Sequence, residues 1–166
     1  MRLPFESLWQ KHHVLVPLKA AHSAAAAALH VEGFSRPWSD GEFRSLLSQE
    51  KVFGFVALEE GRPKAPPAGF IMARLAAGEA EILTVAVAKS VRRHGIGHRL
   101  VDETLRRLHA ERAQSLFLEV DGGNAAAIKL TSALVSKRSA NGPPIMTARK
   151  AKPPRLSCGS ILASPS

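Results

Sequence analysis

The sequence predicts one α/β domain of the mixed α+β kind, in which a mixed central sheet carries helices on both faces. Three observations support this. Stretches with an apolar period of two and stretches with a helical period follow one another in the order βααβββαβα. A chain of 166 residues, 45% of them apolar, is long enough for a single domain with its own core. No apolar run reaches the length needed to cross a bilayer, and the alanine-rich run at 24–29 is far too short.

Each element has a local reason. Residues 13–17, His-Val-Leu-Val-Pro, suit a short first strand, and the alanine-rich residues 18–30 favour a helix. Phe34-Ser-Arg-Pro-Trp38 interrupts that helix. Ser39, with Glu42 three residues on, forms a capping box for a second helix reaching about Ser48. Residues 52–58 alternate as a strand, the Pro/Gly-rich run at 61–68 is a loop, and residues 69–74 and 81–87 are the next two strands. Leu100, Val101, Leu105 and Leu108 recur at helical spacing within 97–112, which turns Arg99, Arg106 and Arg107 outward. Residues 115–120 read as a strand and 124–134 as a helix. After Leu134 the periodicity vanishes, and no element is expected before 160–163. The expected organisation is therefore a domain over 1–134 and a basic Pro/Ser-rich tail over 135–166, disordered or out of frame.

The net charge of +9 is unevenly spread. Residues 131–166 hold Lys137, Arg138, Arg149, Lys150, Lys152 and Arg155 and no acid, whereas the first 130 residues hold the other 17 basic groups and all 14 acidic ones. The tail has no interleaved aromatic residues to stack on bases, so specific nucleic-acid recognition is not expected. Cys158 is the only cysteine, which excludes an intrachain disulfide and suits a reducing cytoplasm. The N-terminus lacks the apolar stretch of a signal peptide, and no membrane association is expected. The seven histidines are scattered without metal-ligand spacing, and no metal is expected.

The most informative segment joins the strand at 81–87 to the helix at 97–112 through Lys89-Ser-Val-Arg-Arg-His-Gly-Ile-Gly97. A basic, glycine-containing turn opening a helix offers backbone N–H groups and a positive helix end to a phosphate-bearing ligand. Gly95 and Gly97 let the ligand approach the backbone, and Arg92 and Arg93 add charge at the rim. The spacing is not a Walker loop, because its lysine and Ser/Thr are absent. Nor is it a Rossmann fingerprint, which needs a third glycine and a later acidic residue.

With Phe34-Ser-Arg-Pro-Trp-Ser39, Ile82-Leu-Thr-Val-Ala-Val87, Leu116-Phe-Leu-Glu-Val120 and Asn124-Ala-Ala-Ala-Ile128, this turn resembles the GNAT acetyltransferases, and among them the RimI-type ribosomal-protein-alanine N-acetyltransferases. The five pieces stand in the family's order across roughly three-fifths of the chain. The resemblance implies the GNAT fold, acetyl-CoA as cosubstrate and the N-terminus of a ribosomal protein as acceptor. It implies that Val85, Ala86 and Val87 pair with the pantetheine arm. Arg93, His94, Gly95, Ile96, Gly97 and His98 would cradle the pyrophosphate, and Asn124 would reach the cosubstrate or cap the next helix. It makes Glu119 the general base, with Glu79 and Glu81 as rival bases, and gives Phe34 and Trp38 to the acceptor site unless they only pack between helices. The remaining alternatives are a GNAT acting on another protein or a small-molecule amine, or an acetyl-CoA-binding remnant whose basic tail binds polyanions.

The resemblance stops abruptly. The family places a tyrosine, the acid that protonates the departing thiolate, where this chain has Thr131, and the chain contains no tyrosine. The Leu-Gly-Phe that follows in the family is replaced by Leu134-Val-Ser136. One nucleotide lost near the codons of Leu130 and Thr131 accounts for both. In the neighbouring frame each codon takes its last two bases from the first two of a residue seen here. One allowed solution begins Tyr-Glu-Arg-Leu-Gly-Phe, and Pro144-Ile145-Met146 supply a later Tyr-Tyr. The last two strands of the family sheet are accordingly expected to be missing or disrupted, and the activity of this exact chain is expected to be poor.

Overall fold

The structure, a computed structural model, describes residues 12–120 and 147–150. Its centre is a six-stranded sheet in sequential order, β1 (His13–Pro17), β2 (Val52–Glu59), β3 (Gly69–Ala76), β4 (Glu79–Val87), β5 (Ser115–Val120) and β6 (Thr147–Lys150). The first four strands form an antiparallel meander, and β5 and β6 then run parallel to their predecessors. Helices α1 (Ser23–Val31) and α2 (Asp40–Leu47) cover one face and α3 (Ile96–Ala110) covers the other, as the sequence predicts. No helix among the described residues is long and apolar enough to cross a membrane.

Covering both faces explains the composition of the central strands. Residues 52–57 of β2 and 69–73 of β3 are buried throughout, without the alternation of a half-solvated strand. Phe53, Phe55, Ile71 and Ile82 face Leu100, Val101, Leu105 and Leu108 of α3. Val56, Phe70 and Met72 face Leu29 of α1 and Phe43 of α2. Small residues set how closely the layers approach. A Cβ at Gly54 would lie 2.3 Å from the Ile71 carbonyl oxygen and 3.1 Å from the Leu18 side chain. A Cβ at Gly69 would lie 2.8 Å from the Ala86 carbonyl and press on Ile96 and Leu100.

Polar contacts fix the helix ends. Ser39 caps α2: its hydroxyl accepts the Glu42 N–H at 3.2 Å, and the Glu42 carboxylate accepts the Ser39 N–H at 2.7 Å. The buried Ser23 hydroxyl donates to Asp40, which ties the start of α1 to the start of α2. Arg99 of α3 donates to the His13 carbonyl at 2.8 Å, and the Arg107 guanidinium sits 4.4 Å over the Phe53 ring.

Two differences from the sequence expectation have local causes. The first helix begins five residues later than its alanine content suggests, after a 3-10 turn at Ala20–His22. The Leu18 N–H bonds the Gly54 carbonyl at 2.9 Å, which keeps that residue against the sheet rather than in a helix. The tail, in which no element is expected before 160–163, contributes the four-residue strand β6 beside β5. Ladder pairing uses only backbone groups, and an open edge offers them to any extended segment. The expected helix at 124–134 lies outside the described residues.

The tight approach at Gly54 gives a direct test. Gly54→Ala is expected to destabilise the fold by about 2 kcal/mol or more, because the new methyl meets a backbone carbonyl that cannot rotate away. Urea unfolding should show a lower midpoint at unchanged m-value, whereas Gly33→Ala, where nothing lies within 4 Å, should leave the midpoint nearly unchanged.

Candidate active site

Strand β4 is paired along its whole length with β3 but along less than half of it with β5. The β4–β5 ladder runs from Glu79↔Ser115 to Ile82↔Leu118, whereas the β3–β4 ladder continues to Gly69↔Val87. The register changes where the two ladders part: Ala73 faces Ile82 and Met72 faces Thr84, leaving Leu83 as an extra residue on β4. Such a bulge bends its strand and increases its twist. Beyond it, among the described residues, no strand pairs with β4 on the β5 side. Val85, Ala86 and Val87 lie on this parted stretch and are half-buried. Their outward backbone groups can accept a partner with amide-like donors and acceptors.

The basic turn lies at the end of the same stretch. A 3-10 turn, Lys89–Val91, leads from β4 into Arg92 and Arg93, both exposed. Arg93 (φ 69°) and Gly95 (φ 76°) are both left-handed, and Gly95 caps α3. Left-handed residues in a turn of this kind can bring successive N–H groups toward one anion. The first helical bond of α3 runs from the Arg99 N–H to the Gly95 carbonyl at 3.1 Å, so the N–H groups of 96–98 face out of the helix end. Apart from its own neighbours along the chain, no described heavy atom lies within 4 Å of a Cβ built on Gly95. Ile96 is buried against the sheet and anchors the turn, while His94 donates through Nδ1 to the Val91 carbonyl at 3.0 Å. His98 is exposed and Gly97 half-buried. The turn therefore brings together every residue expected there.

Glu119 follows Leu118, the last residue of β5 paired with β4, so its backbone lies at the point where the strands part. Of the rival bases, Glu79 and Glu81 lie in the closed, paired part of β4, and Glu81 is held by Arg74 at 2.6 Å. Asn124 and Thr131 lie outside the described residues.

Phe34 and Trp38 do come together, around a histidine that the sequence does not single out. His30, in the last turn of α1, is only 2% exposed. The Phe34 ring stacks on its imidazole at 3.8 Å, the Trp38 ring lies at 5.2 Å, and Phe43 and Phe70 close the cluster. The Trp38 N–H donates to Nδ1 at 3.0 Å. Nδ1 is thus an acceptor, and the ring proton belongs on Nε2, which donates to the Thr84 hydroxyl at 3.0 Å. Thr84 is the β4 residue directly after the bulge. A second link runs nearby: the Glu32 carboxylate accepts the Lys89 N–H at 3.2 Å. Nothing in the sequence singles out His30 among the seven histidines, because its partner Thr84 stands 54 positions away.

Burial of the ring disfavours imidazolium and lowers the His30 pKa to about 4, with the Glu42 carboxylate opposing. Glu42 itself stays below its usual range because the Ser39 backbone N–H and hydroxyl hold its charged form. Unfolding returns His30 to its ordinary value of 6.5, so the unfolded chain binds the additional proton. This contribution to stability is complete above pH 6.5 and is lost as pH falls from 6.5 toward 4. It is on the order of 3 kcal/mol. Urea unfolding at pH 7 and at pH 4.5 should show that loss, and His30→Phe should have a shallower pH dependence over the same range.

Known proteins share both the pattern and the shape. The sequence pattern of the acetyltransferase (GNAT) family matches residues 24–134. The [ribosomal protein bS18]-alanine N-acetyltransferase of Escherichia coli strain K12 is 31% identical over 110 residues, which cover 65% of this chain and 71% of that enzyme. The crystal structure of the ribosomal-protein-S18-alanine N-acetyltransferase from Escherichia coli superposes with a TM-score of 0.65 at 27% identity, over 74% of this chain and 76% of that one. Arabidopsis thaliana NAA60 in complex with acetyl-CoA gives a TM-score of 0.65 over 74% of this chain and 83% of that one; at 17% identity it speaks for the fold alone.

Proposed function

Since the chain belongs to the acetyltransferase (GNAT) family and is built as an acyltransferase, we propose that it is designed to move the acetyl group of acetyl-CoA to the N-terminal alanine amine of a ribosomal protein in the cytoplasm. The observation that carries this reading is the parting of β4 from β5 beyond Ile82↔Leu118, with a left-handed basic turn at its end. The bS18-alanine N-acetyltransferase relative supplies the acceptor class.

In this reading the outward backbone groups of 85–87 hold the pantetheine amides, and the turn from Arg93 to His98 holds the pyrophosphate. The fit is chemical: a run of N–H groups, exposed arginines and the space before Gly95 suit a bulky dianion. Asn124 follows as a further contact. The acceptor chain lies against Phe34 and Trp38. Its α-ammonium loses a proton to Glu119, directly or through water, and the freed nitrogen attacks the thioester carbonyl. The C–N bond forms, the C–S bond breaks, and the thiolate needs a proton. No activated Cys or Ser is required, because transfer is direct.

The last step is the weak one for this polypeptide. A threonine hydroxyl at 131 is far less acidic than a phenol with a pKa of about 10. The family match ends at residue 134, four positions after Leu130, which supports a frame break there and a domain over 1–134 followed by an unselected basic tail. A lesion of this kind leaves cosubstrate binding intact and turnover impaired.

Calorimetric titration of the full chain with acetyl-CoA should give a one-to-one complex. Gly95→Ala should raise its Kd about tenfold or more, since alanine pays about 1–2 kcal/mol for a left-handed backbone and sets a methyl in the ligand's path. No binding to the unaltered chain would remove the acetyltransferase reading.

A second experiment addresses turnover. DNA across codons 125–141 should lack one base, and the gene with the Tyr-Glu-Arg-Leu-Gly-Phe frame restored should acetylate an alanine-initiated peptide with kcat about 100-fold or more above that of the present chain. Glu119→Gln in the restored enzyme should lower kcat by about 10²–10⁴-fold. Equal turnover on a lysine side chain would reassign the acceptor. An intact frame in the DNA would make the tail genuine and the chain an acetyl-CoA-binding protein.

A further inference from the structure

His30 joins two parts of the site that the fold otherwise keeps on separate elements. Its ring is stacked on those of both Phe34 and Trp38, so tilting it would disturb the aromatic cluster. One ring nitrogen accepts the Trp38 backbone N–H at 3.0 Å, which fixes the loop between α1 and α2. The other reaches Thr84 at 3.0 Å, on the strand directly after the bulge at Leu83. Thr84 immediately precedes the parted residues 85–87. The Glu32 to Lys89 link holds the end of the same helix to the chain just beyond that stretch. The last turn of α1 therefore spans the parted segment at two points, and only the His30 link continues into the loop.

We propose that His30 is a positioning residue: by bridging the Trp38 N–H and the Thr84 hydroxyl, its imidazole sets the acceptor loop in register with the cosubstrate strand and couples the occupancy of one to the order of the other. The coupling part rests on the acetyltransferase reading above, whereas the bridge itself does not. A ligand that pairs with the backbone of 85–87 stiffens β4 at Thr84. That fixes the Nε2 partner of His30, and the ring in turn holds Trp38. An acceptor arriving afterwards meets a loop whose ordering cost is already met.

Amide hydrogen exchange on the full chain reads this directly, because the Trp38 N–H is itself one arm of the bridge. In the unaltered protein acetyl-CoA should slow exchange at Trp38. Thr84→Val, which keeps the shape but removes the hydroxyl, leaves the bond to the Trp38 N–H in place and unfastens the ring that accepts it, so Trp38 exchange should speed up several-fold, about tenfold at most. It should also abolish the response to acetyl-CoA while leaving the amides of β2 and α3 unchanged. Thr84→Ser should restore both. His30→Phe, which keeps the stack and removes both bonds, gives the same two readings should Thr84→Val fail to fold. Unchanged Trp38 exchange in these variants would overturn the bridge, and an acetyl-CoA response that survives Thr84→Val, or that is absent from the unaltered protein despite binding, would overturn the coupling. If calorimetry shows no acetyl-CoA binding at all, the acetyltransferase reading and the coupling fail together. The exchange rates without ligand still decide the bridge.

Discussion

One unpaired residue organises the site. Leu83 has no partner across the β3–β4 ladder, a bulge of the kind that bends and twists its strand, and the β4–β5 ladder ends one residue before it. On one side of the bulge β4 is an ordinary interior strand, paired on both edges. On the other it keeps β3, and among the described residues no strand pairs with its second edge. The parted stretch 85–87, the approach to the basic turn and the position of Thr84 opposite His30 all lie just beyond it. A β4 paired along its whole length with β5 would have spent those backbone groups on ladder hydrogen bonds.

The bend is tolerable because the rest of the sheet is rigid. β2 and β3 are buried on both faces and pinned by close backbone approaches at Gly54 and Gly69. Layers packed at crystal-like density transmit strain rather than absorb it. Distortion in β4 is therefore confined to the segment beyond Ile82, and helix α3, seated on Gly69 through Ile96 and Leu100, keeps the turn at its N-terminus in place. The two left-handed residues of that turn, Arg93 and Gly95, are affordable for the same reason.

Much of this was legible in the amino-acid sequence, because much of it is local. Ser39 and Glu42 announce their capping box at a spacing of three, and the leucines of α3 announce its buried face. The strand, basic turn and helix from β4 to α3 can be read as one unit. What escaped depends on distant residues. The role of His30 requires Thr84, whose contribution depends on a bulge that no periodicity marks. The late start of α1 requires a hydrogen bond to Gly54. The strand β6 was not expected because no apolar alternation marks it in the sequence, whereas ladder pairing needs only backbone groups. Glu119 was named from a short motif, and its backbone does lie where the strands separate; Asn124 and Thr131 lie beyond the described residues.

The sequential order of the sheet has a bearing on how the protein is made. From β1 to β4 every strand pairs with the one synthesised just before it, and β5 needs only the intervening α3 to be laid beside β4. The β2–β3 and β3–β4 pairings are local and form early, whereas β1 waits across α1 and α2 for β2. A chain leaving the ribosome can therefore zip its meander strand by strand, in the order of translation, before anything after residue 120 has emerged. Whatever the last codons encode arrives at a sheet already standing.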